Sequence, residues 1–586
     1  MKRYLITTAD ERTWQFDRPV LFLGEWCRLY SRTPVWAGVD GLVAAPFGLR
    51  PGQKERDIAY VQALSKQLLK ELTSALNAFH GTTHGVRYWN ILLGHWLQRY
   101  VSLVFNRFFT LEQALENHEI SGTTVLDFAD YSLAVMDSDA FVWVSNDDLW
   151  NHVLYARVLE FLGGVKIESR SIHLEGVRCF KQEGNATGTQ STAAKRVVSA
   201  IVSHILPKLS RRGDAFIVSS YLPKMEEAKL SLTLGQCPQL WRSPKLTNAV
   251  LDPARRRHFC VDAERHLGFE RFVRRQLGDM VPICYLEGYQ QLCLQAESVS
   301  WPTTPRFILT SNRFDTDEVF KAWTSRQVEQ GTRYFIGQHG NNYGTLLGSS
   351  DFPELVTCDK FFTWGWTNGN PKNIPAFVFT IVGRKLQYAV SEGDLLLIEL
   401  PPPHRHGPED AYYEYGIYQE QQFRFVKALP EGIQAKLMVR LHSGFRRFSW
   451  SAEERWAERY PQVRIERGAT PIQTLIRRSR LVVHSYDSTG ILETLALNIP
   501  TLCFWHGGLD HLLSSAKPYY ALLRNAGILI DTPAHAATLV TERWESIEQW
   551  WGSERVQNAR KAFCAEYAQT EKHPIRTLKR LLTKDN

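Results

Sequence analysis

The segment Val482–Pro500 reads as strand, polar turn, helix, and its turn holds Ser485, Ser488 and Thr489. A helix N-terminus carries unpaired backbone N–H groups and the positive end of the helix dipole, so hydroxyls placed there complete an anion site. Ser488 and Thr489 are therefore the expected phosphate binders, with Ser485 beside them. Glu493 lies one turn further on, where a carboxylate can accept from ribose hydroxyls. The competing reading makes Ser488 a plain N-cap and Asp487 a plain turn residue. A second element, Val439-Arg440-Leu441-His442, ends a strand with a cation and an imidazole at the sheet edge where open α/β folds bind ligands. Arg440 can fork onto a diphosphate or carboxylate, and His442 can donate to a phosphate oxygen or protonate a leaving group. Otherwise the pair is a charged strand end in solvent.

Ile336-Gly337-Gln338-His339-Gly340-Asn341 runs a strand into a glycine-rich polar loop, which makes His339 a candidate general acid or base and places Asn341 near an acceptor. No Gly-Lys-Ser/Thr follows, so this is not a P-loop. Asp315 and Asp317, after the apolar run Phe307–Thr310, are candidates for a nucleophile or base, or else cap the next helix. Glu25-Trp26-Cys27-Arg28 and Asn146-Asp147-Asp148-Leu149-Trp150-Asn151 combine acids, amides and indoles, as an acceptor sugar requires; Glu25, Trp26 and Asp148 are the candidates there. Asp137-Ser138-Asp139 reads as a surface turn and Asp315-Thr316-Asp317 as a helix cap. No metal is expected, and no cofactor.

Apolar periodicity supplies the elements that must position these groups. Tyr4–Thr8 and Val20–Gly24 read as strands, and 57–79, 89–109 and 146–162 as helices, the last capped by Asn146-Asp147-Asp148. The stretch 165–300 mixes short apolar runs such as Ala215–Val218 with basic loops. Alternation then becomes regular: strands at 307–310 and 334–337 around a helix over 317–330, and strands at 394–398, 436–440, 480–483 and 500–504 separated by helices. This rhythm predicts parallel sheets covered by helices. The expected organisation is an acceptor-side domain over 1–387, a nucleotide-binding Rossmann-like domain over 388–550 and a helical tail over 551–586. Pro401-Pro402-Pro403 reads as a loop at the carboxyl edge of the second domain.

The 586 residues exceed one ordinary core, and 44% apolar with 22% charged residues is globular composition. No apolar run is long enough for a membrane span, and the N-terminus lacks a signal-peptide pattern, so a cytoplasmic location is expected. Nine scattered cysteines without a CxxC pair indicate buried thiols, neither a disulfide framework nor a zinc site. A net charge of +8 allows an anionic ligand, nucleic acid or acidic membrane surface without choosing among them. Arg255-Arg256-Arg257-His258 reads as a solvated helix face or a contact for lipid phosphates, and most of the eighteen tryptophans as core.

The turn Tyr486-Asp487-Ser488 resembles the Tyr-Ser-Ser turn of the CDP-glycerol glycerophosphotransferases of teichoic acid synthesis, with Asp487 in place of the first serine. Arg440 and His442 resemble the Arg/His-Pro element of that family, Ser443 replacing the proline, and the His339 loop resembles its interdomain His-Gly loop. The opening, Arg3–Trp14 and Leu21–Cys27, with Leu93-Gly94-His95-Trp96-Leu97, is similar over nearly the whole chain to bacterial O-antigen and capsule transferases. A more distant likeness is to bacterial Kdo and sialic acid transferases, whose CMP donors sit on paired hydroxyls at a helix start. These resemblances imply a GT-B-like α/β fold, two Rossmann-like domains facing across a cleft, the first enlarged by helical insertions. They imply a metal-independent glycosyltransferase that moves a sugar from a nucleotide-activated donor, CMP-Kdo or a related CMP-ulosonic acid, to a glycan or lipid-linked oligosaccharide. The setting is surface-polysaccharide synthesis at the cytoplasmic face of the inner membrane, with no nucleic acid partner. The rivals are a CDP-polyol phosphotransferase, a sugar-nucleotide 2-epimerase and a non-catalytic polyanion-binding protein.

Overall fold

The computed structural model describes residues 1–127, 131–172, 179–180, 210–384, 393–400, 407–408 and 414–584. The triple-proline junction, the expected 387/388 boundary and part of the 165–300 stretch lie outside them. Among the described residues the chain builds three sheets, each wholly parallel. The first contains β1 (Arg3–Ile6), β2 (Val20–Phe22), β3 (Gly41–Val43), β4 (Ile120–Asp127) and β5 (Ile167–Ser171), in the order β3-β2-β1-β4-β5. The second contains β6 (Phe216–Ile217), β7 (Phe307–Thr310), β8 (Arg333–Gly337), β9 (Lys360–Thr363) and β10 (Asn373–Pro375), stacked in reverse sequence order. The third contains β11 (Asp394–Ile398), β12 (Leu437–Arg440), β13 (Arg464–Glu466), β14 (Ser479–His484), β15 (Thr501–Phe504) and β16 (Leu529–Ile530), in the order β13-β12-β11-β14-β15-β16.

The central strands lie buried between helical layers, which is why β7, β11 and β15 read as apolar runs instead of alternating ones. The order reverses between β1 and β4 in the first sheet and between β11 and β14 in the third. Each reversal opens a crevice at the carboxyl edge, the usual ligand position in such sheets. Among the described residues the second sheet has no reversal.

The expected helical enlargement of the N-terminal half is present as two long antiparallel helices, Gln53–His80 and Val86–Asn117, joined through Gly81 at φ 66°. Leu64, Leu68, Leu72 and Leu76 recur every fourth residue and are buried. At about 1.5–3 kcal/mol per buried leucine, this stripe holds the hairpin together. The second helix packs against Asp148–Leu162 of the first sheet layer and Glu318–Glu329 of the second, so it is the spine between them. The enlargement therefore also includes a sheet of its own, which periodicity did not separate. Its strand β4 is rich in threonine, with Thr123 and Thr124 buried.

At the other end of the chain, Glu554–Tyr567 packs on Lys517–Ala526 of the third layer. The chain then crosses back: Gln569 N–H donates to the Trp364 carbonyl (2.8 Å), and Leu578 and Leu582 of the last helix, Pro574–Thr583, enter the core of the second sheet. The loops at the carboxyl edges of the second and third sheets meet directly, a GT-B-like opposition of two Rossmann-like layers.

Candidate functional site

The site begins at the end of β14. His484 is buried and neutral, its pKa lowered to about 3 by burial, and its Nδ1 lies 3.1 Å from Ser488 Oγ. The ring leaves no room for a side chain at Gly490, where a Cβ would stand 2.6 Å from His484 Cε1. Ser488 occupies the N-cap position of the helix Thr489–Ala496, yet its hydroxyl makes no capping bond. It faces His484 and Tyr486, whose phenol also hydrogen-bonds it. The plain N-cap reading of Ser488 thus fails, and the first amides of the helix keep their need for an acceptor.

Arg440, at the end of β12, lies between Glu466 (Nε–Oε2 3.4 Å) and Tyr486, which brings a guanidinium to the same turn. His442 is exposed. Its Nδ1 accepts from the Gly444 amide (3.0 Å), so in the neutral ring the proton is on Nε2. Partial desolvation of the ring nitrogens by the surrounding loop, then Arg440 and Arg447, lower its pKa and favour that neutral donor although the residue is open to solvent. Glu493 faces Thr380 and Arg384 of the segment after β10, and burial raises its pKa. Ser485 belongs to a different network: its hydroxyl donates to the Ile398 carbonyl (2.8 Å) and meets Tyr418 OH (2.7 Å), tying β14 to β11.

Across from this turn stands the loop after β8. The Asn341 amide donates to Thr489 Oγ1 (3.0 Å), and Asn341 Nδ2 donates to Asp487 Oδ1 (2.7 Å). Asp487 is no simple turn residue. Its buried carboxylate also accepts from His511 Nε2 (3.1 Å) and Tyr520 OH (3.0 Å), so four donors from three segments converge on one acid and one hydroxyl. The Leu347 N–H to His511 O (2.9 Å) and Leu513 N–H to Thr345 O (2.7 Å) bonds continue the seam. Asn341 and Thr489 therefore join the two layers directly.

His339, two residues before Asn341, is half-buried. Its Nδ1 lies 3.1 Å from Tyr343 OH, with Phe314 and Tyr221 edging the ring. Burial lowers its pKa against the pull of Glu354 and Asp315. Asp315 pairs with Arg99 of the spine helix (2.5 Å); burial alone would raise its pKa, but the guanidinium outweighs this and holds it at about 2. Asp315 is thus an ionised carboxylate beside His339. Asp317 does what the helix-cap alternative required: it accepts from the Phe320 amide (3.1 Å), from Arg313 (2.8 Å) and from Ser243. With both oxygens engaged, it is a poor nucleophile. Ser219 and Tyr221, at φ 47° and 63°, hold left-handed backbone at the end of β6 beside this cluster, a local strain of the kind that collects at functional edges.

At the carboxyl edge of the first sheet, Asp148 accepts from the Ala9 amide (3.2 Å), and burial raises its pKa to about 7. Trp26 is core: its ring is buried and its indole N–H donates to the Thr7 carbonyl (3.0 Å), so no face is open for a sugar. Glu25, bonded to Arg28 (2.7 Å), lines a cavity of about 540 Å³ between this edge and the start of the helix Tyr415–Lys427. Glu25 and Asp148 thus belong to a different edge from His339. Asp137-Ser138-Asp139 is a buried cap rather than a surface turn: Asp137 accepts from the Ala140 amide (2.8 Å) and Ser138 is fully buried. Within the basic run, Arg256 is buried on Glu287 (2.6 and 2.8 Å), whereas Arg255, Arg257 and His258 are exposed. Among the cysteines, Cys260 is exposed and five are buried.

Sequence reasoning missed Tyr343, Glu354, Arg99, His511 and Tyr520. Only His95, which bonds Glu354, carried a signal, as part of the Leu93–Leu97 landmark. Among the described residues no group of three or more His, Cys, Asp or Glu side chains is arranged to hold a metal, and no helix is long and apolar enough to cross a membrane.

The sequence model of the LIC12162 family transferase matches residues 3–582. No curated protein matches the chain. Solved structures with partial overlap include the wall teichoic acid polymerase TagF, 11% identical over 52% of this chain and 76% of that one with a TM-score of 0.29. They also include S. aureus MnaA with UDP, 14% identical over 50% and 79% with a TM-score of 0.33. WaaG, a glycosyltransferase of lipopolysaccharide biosynthesis, is 12% identical over 63% and 99% with a TM-score of 0.29. Overlaps this loose carry no inference about ligand or reaction.

Proposed function

The chain belongs to the LIC12162 family of transferases, and on that premise we propose that it is a glycosyltransferase whose nucleotide-activated donor binds at the carboxyl edge of the third sheet. The observation that carries this reading is the direct seam between the turn Tyr486–Thr489, at the β11/β14 reversal, and the His339 loop. It brings a helix N-terminus with hydroxyls beside it and a histidine loop together, which supports reading them as one site. In this reading the donor phosphate lies on the free amides of the helix Thr489–Ala496 with Ser488, and Arg440 and His442 offset the charge that develops on the leaving nucleotide. Glu493 takes the ribose.

His339, on the opposite layer, removes the proton from the acceptor hydroxyl. That oxygen then forms the new bond to the anomeric carbon as the nucleotide departs with the old bonding pair. Asp315, ionised beside the ring, stabilises the imidazolium that results. Ser485, Asp317, Trp26 and Asn341 hold the frame rather than the reactants, while Glu25 and Asp148 remain for the distal part of an acceptor. The donor domain is the third layer, over about residues 388–550, opposite an acceptor side over 1–387, with the 551–586 tail folded back. The donor is a CMP-linked ulosonic acid such as CMP-Kdo, and the acceptor a glycan or lipid-linked oligosaccharide of O-antigen or capsule. The work is done without a metal at the cytoplasmic face of the inner membrane, with peripheral contact to it. A thermal-shift screen of CMP, CDP, UDP, GDP and dTDP tests the reading, because a ligand of the folded state raises apparent stability by mass action. A selective shift with CMP supports it; equal, salt-sensitive shifts with any polyanion would point instead to non-catalytic binding.

A further inference from the structure

The imidazole of His339 is the end of a buried chain of polar groups that runs away from the site. Tyr343 OH donates to Glu354 Oε1 at 2.6 Å and lies 3.1 Å from His339 Nδ1. Glu354 Oε2 in turn meets His95 Nε2 at 2.9 Å. The members come from three separate elements: the loop after β8, the short helix Pro353–Thr357, and the spine helix Val86–Asn117. Tyr343 is 4% and Glu354 5% exposed, so both are shielded from bulk solvent.

A phenol has one proton. The 2.6 Å bond to a carboxylate is the stronger of the two available, because an ionised acceptor roughly doubles the strength of such a bond. Once the proton is directed at Glu354, the phenol oxygen presents only lone pairs to His339, and Nδ1 must be the donor. Burial opposes the charged form of Glu354, but His95 and the Tyr343 hydroxyl outweigh it and keep the carboxylate ionised, so this direction is maintained. The Ser311 backbone also hydrogen-bonds the ring and favours its protonated form, against the larger effect of burial.

We propose that Tyr343 and Glu354 are positioning residues that hold His339 as the Nδ1–H tautomer, with Nε2 bare and able to accept a proton. This rests on the reading of His339 as the acid or base of transfer, and extends it to groups that touch no substrate. The tautomer of a catalytic histidine is set by the bond its other nitrogen makes. The chain Glu354–Tyr343–His339 therefore does at one remove what a directly bonded carboxylate does elsewhere.

The test uses the full-length chain with ¹⁵N-labelled histidine, where ring nitrogen shifts separate protonated from bare positions. Among the eighteen histidines, the His339 signals are those missing in His339→Asn. The expected wild-type result is a neutral ring protonated at Nδ1. Tyr343→Phe, which keeps the ring and removes the acceptor, should move the proton to Nε2 while the other histidine signals stay in place. Glu354→Gln, which removes the carboxylate but keeps its shape, should also end the single Nδ1–H state. In parallel, CMP release from CMP-Kdo should fall by between about 10- and 10²-fold in kcat for both variants, with KM unchanged. A wild-type ring protonated at Nε2, or an unmoved tautomer in folded Tyr343→Phe and Glu354→Gln, would overturn the proposal. Unchanged CMP release in His339→Asn would instead sink the assignment of His339 as the transfer base. The tautomer measurement still decides the positioning claim in that event.

Discussion

Replacing Asp487 by alanine should break the seam between the second and third layers at its strongest point. The carboxylate accepts from Asn341 (2.7 Å), His511 (3.1 Å) and Tyr520 (3.0 Å) and its side chain is only 5% exposed. A simple sum over the three bonds overshoots, because the donors relax together once the acid is gone. Losing this acceptor leaves the Asn341, His511 and Tyr520 donors unsatisfied at about 1–3 kcal/mol each before they relax together, so a loss of about 3–4 kcal/mol is expected for Asp487→Ala. Asp487→Asn keeps one acceptor oxygen for Asn341 but turns an amide toward His511 and Tyr520, and should lose about half as much.

The readout is amide hydrogen exchange in the intact chain, since a molecule with three sheets does not unfold in one step. At 1.4 kcal/mol per factor of ten, exchange across 341–347 and 489–493 should quicken by about 10²- to 10³-fold in Asp487→Ala. The spine helix, remote from the acid, should keep its protection. Asn341→Ala combined with Asp487→Ala should cost clearly less than the sum of the two. Unchanged exchange in both segments of a folded Asp487→Ala protein would refute the idea that this carboxylate joins the layers.

Ser488→Ala with Thr489→Val should weaken nucleotide binding by about 1–3 kcal/mol in calorimetry; unaltered affinity in the folded variant would reduce the turn to a structural feature. Glu399, 5% exposed at the end of β11 with the Trp456 indole at 3.2 Å, has its pKa pushed up by burial from the usual 4.5 to about 8. The unfolded chain releases that proton first, so this group's stabilisation is full below about pH 4.5 and is lost as pH rises through about 8. Melting curves of Glu399→Gln across this range should lack that decline, and a variant that tracks the wild type would contradict the assignment. Gly490→Ala should destabilise the helix start by about 1–3 kcal/mol through overpacking on His484, read as a lower melting temperature; no change would mean that the turn is plastic.

The parts of this architecture that were legible are those where local pattern and tertiary role coincide. Phe307–Thr310 and Asp394–Ile398 are apolar runs bounded by polar residues, and both are strands with those bounds. Asp147 and Asp317 precede apolar helical spacing and cap the helices that follow. The first sheet was harder to read because β4 carries Ser-Gly-Thr-Thr, whose hydroxyls are satisfied only by neighbours: Thr124 meets Tyr4 OH at 2.7 Å, far back in the chain. Trp26 misled for a related reason. An indole beside acids suggests a sugar platform until its N–H is seen on the Thr7 carbonyl.

At the site, the anion-binding potential of Ser488 and Thr489 follows from their place at a helix start, which a sequence displays. The roles of Asp487, Tyr343 and Glu354 do not, since each is defined by partners on other elements. Glu354 meets His95 across 259 residues. No spacing rule reaches that far.

The central claim, that the nucleotide sits at the carboxyl edge of the third sheet, is tested most directly by hydrogen exchange of the intact chain with and without saturating CMP. Protection should appear at 439–442 and 485–493, with a weaker echo at 339–347 through the Asn341 seam, and none at the first sheet. Protection at Thr7–Asp10 and Asp148 with none across Ser485–Glu493 would contradict the account.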